Sequence, residues 1–194
     1  MTNITTVTAL RDRLAELAGT WTLDPAHTSI ELSVRHMMVG TVRGRVAPVD
    51  GALHIDANEP EQSYVEIEID AGSIDTGNSD RDVHLKSPDF LDVETYPRIA
   101  FRSTGLEDHG DGDFIVRGDL TVRDVTQPVT LEAEFGGIVR DPWGNHRIGF
   151  TAQTTIDRTA FGLKWNAALE GGGIVVGTKV KLSIDTEFTR PAAG

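Results

Sequence analysis

The sequence predicts an all-β protein: a single antiparallel barrel of about eight or nine strands. Three observations carry this reading. Apolar and polar residues alternate in period two over most of the chain. The alternation is clearest from Tyr64 to Asp70, where Val65, Ile67 and Ile69 oppose Glu66, Glu68 and Asp70. Clusters of turn residues separate the alternating runs, with no βαβ rhythm. No linker divides the 194 residues. A two-sheet sandwich is the competing arrangement, and the long strands of an uninterrupted meander favour the barrel.

In chain order, Val7 to Ala18 reads as a helix. Leu10, Leu14 and Leu17 form one stripe and Gly19 ends it. Three turns are marginal in isolation, so this helix must dock, and a barrel end is the simplest place. The boundaries are an N-terminal extension over 1–19, a barrel domain over 20–189 and a loose tail over 190–194. Thr20 to Leu23 opens the strands and Asp24-Pro25-Ala26 turns the chain. Ser29 to His36 puts Ile30, Leu32 and Val34 on one face. Val42 to Val46 and Val49 to Ile55 read as two further strands, with Gly44 marking a bend or a close backbone approach. After Tyr64 to Asp70 come Arg98 to Ser103, with Phe101 inward, and an Asp111-Gly112 hairpin. Phe114 to Val122 carries Gly118 and Leu120 on its inner face, and Val129 to Phe135 follows. Asp141 to Asn145 is a turn, and Arg147 to Asp157 puts Ile148 and Phe150 inward. Arg158 to Leu163 breaks the alternation, the glycines at 171–173 read as a flexible link, and Val176 to Phe188 closes the set.

One stretch departs from this pattern. From Ile74 to Tyr96 the alternation gives way to a short polar helix. Asn78 or Ser79 can cap it, Ser79 and Asp82 have the spacing of a capping box, and Pro88 stops it. Asp89-Phe90-Leu91-Asp92 then sets two large apolar side chains between carboxylates. A helix and an apolar plug inserted in a strand protein read as a lid or stopper on a barrel end.

Composition excludes several classes. The net charge of -12 speaks against a nucleic-acid partner and against electrostatic docking on anionic lipid. With no cysteine, disulfides, thiolate nucleophiles and iron–sulfur clusters are excluded. No apolar run approaches the roughly 18 residues of a membrane span. The first residues hold no apolar leader segment, which leads to the expectation of a cytoplasmic protein.

No nucleophile elbow, zinc helix motif or phosphate loop occurs. Asp108, Asp111 and Asp113 lack calcium-loop spacing. His36 ends a strand and His84 lies on the inserted helix. With Asp80, Asp82 or Glu31 they could form an acid–base pair or a metal site, yet no spacing demands either. The competing reading of Asp80, Arg81, Asp82 and His84 is a polar clasp that ties the helix to neighbouring strands. Met37-Met38-Val39, Phe90-Leu91 and Phe161 to Trp165 are apolar clusters outside the alternation. Periodicity leaves open whether the barrel is filled by its own side chains or holds a ligand.

Resemblance narrows this choice. The stretches LDPAHTSIELSVRHMMVGTVRGRV (23–46), SIDTGNSDRDVHLKSPDFLDVETYPRIAF (73–101), LTVRDVTQPVTL (120–131) and DPWGNHRIGFTAQTTIDRTAFGL (141–163) are similar, in order, to the blocks of the YceI-like family. Members often read His-Gly where this chain has Arg123-Asp124, so Asp124 stands for a turn glycine, a place where Asp tolerates left-handed geometry better than most residues. The resemblance implies an extended lipocalin-like barrel, no cofactor and no established enzymatic activity. It also implies non-catalytic binding, transport or storage of a polyisoprenoid or isoprenoid quinone, often by a homodimer. On that reading the tail contacts Val34, Ile67, Ile69, Phe101, Leu120 and Phe150. Met37, Met38, Leu85, Phe90, Leu91 and Trp165 line the mouth, and a polar head sits near Arg35, His36, Arg81 or His84. Two other classes stay open: an enzyme acting on a small apolar substrate through His36, His84 and a carboxylate, and a filled barrel that serves as an interaction module.

Overall fold

The computed structural model describes residues 17–168 and 172–191. Nine strands occur among them: β1 (Gly19–Leu23), β2 (Ser29–His36), β3 (Gly40–Ile55), β4 (Tyr64–Asp75), β5 (Arg98–Gly110), β6 (Asp113–Val122), β7 (Val125–Arg140), β8 (Asn145–Asp157) and β9 (Val176–Pro191). One α-helix, α1 (Ser79–Lys86), interrupts them after β4. The helix read over Val7 to Ala18 lies, up to residue 16, outside the described residues.

Strands β2 to β9 form a closed antiparallel circle. Neighbours in sequence pair, most through short connections and β4–β5 and β8–β9 across longer ones, and β2 also pairs with β9. β1 is the extra strand. It lies in line with β2, past a 3-10 turn at Pro25–His27, and fills the gap where β3 and β9 diverge. Among the described residues, closure leaves no long unpaired sheet edge. The inward rows match the alternation of the sequence: Ile30, Val46, Ile69, Leu120, Val122 and Leu131 are all buried.

Three readings need correction. Val42 to Val46 and Val49 to Ile55 are one 16-residue strand, not two. Register shifts on both sides of Pro48 bend it without ending it, because a bulge accommodates the missing amide donor. The tail does not begin at Arg190: Arg190 pairs with His146 inside β9, and its guanidinium stacks on Trp21 at 4.3 Å. In the β6–β7 turn the residue with positive φ is Arg123 (59°), not Asp124. Gly44 does mark a close approach, since a Cβ there would lie 2.8 Å from Thr76 Cγ2 and 3.1 Å from Asp75 O.

The interior divides into two parts. At the end formed by β1, the start of β8 and the end of β9, Trp21, Leu23, Ile55, Ile148 and Phe188 pack into a core. Trp21, Ile148 and Phe188 are sealed from solvent, and Trp21 Nε1 donates to Leu17 O at 2.8 Å. Phe135 and Phe150 add a tilted ring pair with centroids 5.6 Å apart. At the other end, Ile30, Val46, Ile69, Ile74, Leu91, Leu120, Val122 and Phe161 form a second cluster. Ile67 touches both.

An ion network ties the filled end from outside. Arg147 donates through Nη1 to Asp24 Oδ2 (2.6 Å) and Glu187 Oε2 (3.0 Å), and through Nε to Asp141 Oδ2 (3.1 Å). Burial acts to raise the Asp24 and Asp141 carboxyls. Hydrogen bonds from Arg147, His27 and Ala26 to the first, and from Asn145, Arg147 and Trp143 to the second, outweigh it, and both are held below the ordinary 3.8. The bonds to Asp24 and Glu187 hold the guanidinium of Arg147 above its usual value, against its own desolvation.

Two predictions follow from the wall and its clamp. Gly118 lies under the ring of Phe101, where a Cβ would meet ring carbons at 2.5 Å and Arg102 O at 2.6 Å. Gly118→Ala is expected to lower unfolding free energy by about 1–3 kcal/mol in denaturant titrations. For the network, a lowered folded pKa gives stability that is present above the unfolded value and lost as pH falls through the folded one. Stability measured by denaturation therefore declines as pH drops below about 3.8. Arg147→Gln shallows that decline, because Asp24 and Asp141 then titrate closer to their unfolded values.

Candidate functional site

Above the filled core the barrel is hollow. A cavity of about 500 Å³ falls within the ~300–1,000 Å³ of small-molecule sites. Its wall is apolar: Leu32 and Val34 from β2, Val42 and Val46 from β3, Ile69 and Ile74 from β4, Ile99, Leu120 and Ile156 from the far side, Val180 and Leu182 from β9. Polar side chains gather at one end, where Arg35, His36, Asp80, Arg81, His84 and Arg158 complete the lining. The result is a blind apolar tube with a polar mouth.

The inserted segment roofs this mouth. Asn78 caps α1, its Oδ1 accepting from Arg81 N at 3.0 Å. The expected Ser79–Asp82 capping box is not used. Asp82 Oδ1 turns to Thr76, accepting from its backbone N at 3.0 Å and from its hydroxyl. Arg81 closes on the same residue, donating through Nε to Thr76 Oγ1 (2.7 Å) and through Nη2 to Thr76 O (2.9 Å). Arg81 and Asp82 thus fasten the helix to the end of β4. Beyond Pro88, Leu91 N returns to Leu85 O and Val93 N to Lys86 O, a fold-back that drives Phe90 and Leu91 inward.

His84 Nε2 lies 2.9 Å from Asp89 Oδ2. Its ring meets Trp165 edge-on at 4.6 Å and Phe90 at 5.1 Å. Trp165 comes from the β8–β9 connection, so these rings join the two long crossings over the cavity. Among the described residues no hydrogen bond links His36 to His84. Glu31 belongs to a different place, an outer hollow of about 690 Å³ lined by Ser29, Glu31, Glu132, Glu134 and Asp185. Its exposed carboxylates and hydroxyls are a solvated wall, not a partner set for the two histidines.

Sequence reasoning missed Arg158. It is 4% exposed and sits in a 3-10 turn (Arg158–Phe161) capped by Asp157. Its guanidinium donates to Gly177 O (2.8 Å), Leu163 O (2.5 Å), Trp165 O (3.0 Å) and Val176 O (3.1 Å). No ion pair with a carboxylate is formed among the described residues. Burial pulls its pKa below the usual value, with the Asp157 charge acting the other way. An arginine remains cationic under such a shift. The broken alternation at Arg158 was the only signal, and it did not show which way the side chain turns.

Of the residues read as contacting a ligand, Val34, Ile69, Leu85, Phe90, Leu91, Leu120 and Trp165 line the cavity, as do Arg35, His36, Arg81 and His84. Five do not. Ile67 lies where the two clusters meet, at the cavity floor, and Phe150 packs against the filled end. Phe101 folds over Gly118, occupying space that a side chain there would take. Met37 and Met38 sit at the tip of the β2–β3 turn and point to solvent, 40% and 64% exposed. Among the described residues, the one group of three His or carboxylate ligand atoms within 4.8 Å is Asp24, His27 and Glu187, at the opposite end. Arg147 already supplies the cation there.

A closed antiparallel barrel with an apolar cavity and a roofed polar mouth defines a lipocalin-like fold. The chain belongs to the YceI-like family, whose domain model matches residues 21–188. It is 40% identical over 139 residues to a UPF0312 protein of Shewanella denitrificans, covering 72% of this chain and 73% of that one. A UPF0312 protein of Pseudomonas savastanoi is 35% identical over 159 residues, 81% and 83% of the two chains. Among solved structures, Burkholderia cenocepacia BcnA superposes with TM-score 0.69 at 19% identity, over 85% of this chain and 98% of that one. A polyisoprenoid-binding domain from Saccharophagus degradans gives 0.62 at 14% identity, over 88% and 98%. At these identities the structural likeness establishes the fold.

Loss of the Asn78 cap tests whether the roof is an independently weak unit. Asn78→Ala is expected to cost about 0.5–2 kcal/mol. It should raise amide hydrogen exchange within Ser79–Lys86 while leaving the strands protected.

Proposed function

We propose that this protein binds the apolar tail of one isoprenoid lipid, a polyprenyl chain or an isoprenoid quinone, in the cavity and holds it without chemical conversion. The observation that carries the reading is the segregation within one tube: aliphatic walls inside, and the arginines, histidines and Asp80 at the mouth. The neighbour described as polyisoprenoid-binding supports the choice of tail. Transfer of a methylene-sized group from water contributes ~0.8 kcal/mol, so one isoprene unit contributes roughly 3–4 kcal/mol gross. Micromolar affinity corresponds to about 8 kcal/mol net, so roughly three or four enclosed units suffice after ordering costs are subtracted. Because the filled end stops the tube, a longer tail emerges at the mouth. The head group meets Arg35, His36, Arg81, His84 and Arg158, which suits a hydrogen-bond-accepting or anionic head.

Organic extraction of the purified protein with mass analysis tests this directly. A prenyl lipid should co-purify, and a solubilised polyprenol or quinone added to stripped protein should raise its melting temperature. If nothing co-purifies and neither class shifts the transition, the reading fails. Val180→Trp fills the tube from β9; it is expected to fold, to lose co-purified lipid and to abolish the ligand-induced shift.

A further inference from the structure

The net charge of -12 is distributed unevenly. None of the chain's 30 carboxylates lies between Glu31 and Asp50 or between residue 171 and Asp185. These stretches hold Arg35, Arg43, Arg45, Lys179 and Lys181, and the fold places them side by side, since β2 pairs with β3 on one side and β9 on the other. In register, Ser33 stands between Arg43 and Lys181 on the outer face. Arg45 pairs with Asp75 and Lys179 with Asp157. Among the described residues, Arg43 and Lys181 have no carboxylate partner. Arg35 spends its guanidinium on Met38 O (2.7 Å) and Thr41 Oγ1 (3.2 Å), bracing the turn.

That turn has an unusual composition. His36 O accepts from Val39 N at 3.1 Å, so Met37 and Met38 are its two central residues. Both have positive φ, 48° and 63°. Asn-Gly is the pair this conformation favours, and unbranched apolar side chains gain nothing from it. Strained backbone of this kind persists where the surroundings hold it and concentrates at functional sites. Here it holds Met37, Met38 and Val39 out in solvent, the last 85% exposed. Ile174, also exposed, stands beside the tip, where Met37 N donates to Val175 O at 2.8 Å. Val175 and Val176 line the cavity mouth.

We infer that the β2–β3 tip is a membrane-docking device that sets the cavity mouth against an anionic bilayer. Its purpose rests on the lipid-binding reading; its physics does not. Met37, Met38 and Val39 enter the boundary between head groups and acyl chains, where an apolar face can bury ~5–10 Å deep. At ~3.3 Å per residue, Arg35, Arg43 and Lys181 stand roughly 7–15 Å behind the tip, at the level of the lipid phosphates. The acidic remainder of the protein, including the exposed roof carboxylates Asp80 and Asp89, is repelled by the same surface, which tilts the molecule onto the tip and its β3–β2–β9 flank. An apolar tail then crosses from bilayer to tube past Val175 and Val176 with little exposure to water.

Flotation with phosphatidylcholine vesicles, with or without added phosphatidylglycerol, tests the inference. Wild type should float with the phosphatidylglycerol vesicles and be released by salt, because exposed charges are screened. Met37→Asn/Met38→Gly supplies the pair the turn prefers, so it should melt no lower than wild type while floating roughly tenfold less. Arg43→Glu/Lys181→Glu should lose the preference for anionic vesicles. Val180→Trp, which fills the cavity, should float like wild type, so failure of ligand binding and failure of docking are separate results. The inference is overturned if wild type ignores anionic vesicles, or if the Asn-Gly variant floats equally well. It is also overturned if light scattering shows a dimer that the Asn-Gly variant dissolves while vesicles have no effect, since the tip would then be a self-association face.

Discussion

Trp21 is the side chain on which the interior arrangement depends. An eight-stranded barrel encloses about enough space either to be filled by its own residues or to hold one ligand. This chain does both, at opposite ends, and Trp21 with Phe188 and Ile148 sets the boundary. The indole is fully enclosed, its N–H is satisfied by Leu17 O, and Arg190 covers one face. With that end solid, free volume can exist only at the other. The Arg147 network reinforces the same end by bringing Asp24, Asp141 and Glu187, distant in sequence, onto one guanidinium.

The mouth follows a different logic. Its two crossings, Thr76 to Pro97 and Arg158 to Val175, are held by polar bonds and ring contacts. Thr76 receives both Arg81 and Asp82, and His84, Phe90 and Trp165 meet over the opening. Arg158 satisfies the carbonyls of the second crossing while keeping a positive charge in an apolar wall. Carbonyl dipoles can solvate a guanidinium without neutralising it, which leaves a cation available to a head group. Such a roof, with few buried apolar residues of its own, is the part of the molecule expected to open most readily.

Much of this was legible in the sequence. Period-two alternation identified Val34, Ile69 and Leu120 as inward residues, and the break at Ile74 to Tyr96 located the roof. Alternation gives only the side of the wall, however, and not the depth along the barrel. That is why Ile67 and Phe150 share the inward pattern of Val34 and yet do not line the cavity, one lying at its floor and the other against the filled end. Phe101 misled for a second reason: Gly118 on the neighbouring strand leaves a hole that its ring occupies. Met37 and Met38 are apolar and near a strand end, as lining residues are, but the two-residue turn places them past the end of the wall. Arg158 was invisible because a buried arginine and an exposed one look alike in a chain.

The sequence by itself determined the class: no cysteine chemistry, alternating strands, and an inserted helix with two apolar residues behind it. The tertiary structure decided how these are shared out in space. Net charge is a sum, and a sum of -12 conceals a basic flank that appears only when β3, β2 and β9 are laid side by side. Filling is likewise a property of opposing walls. Whether a barrel end is solid or hollow depends on which side chains face one another across its interior, and those pairs are tens of residues apart along the chain.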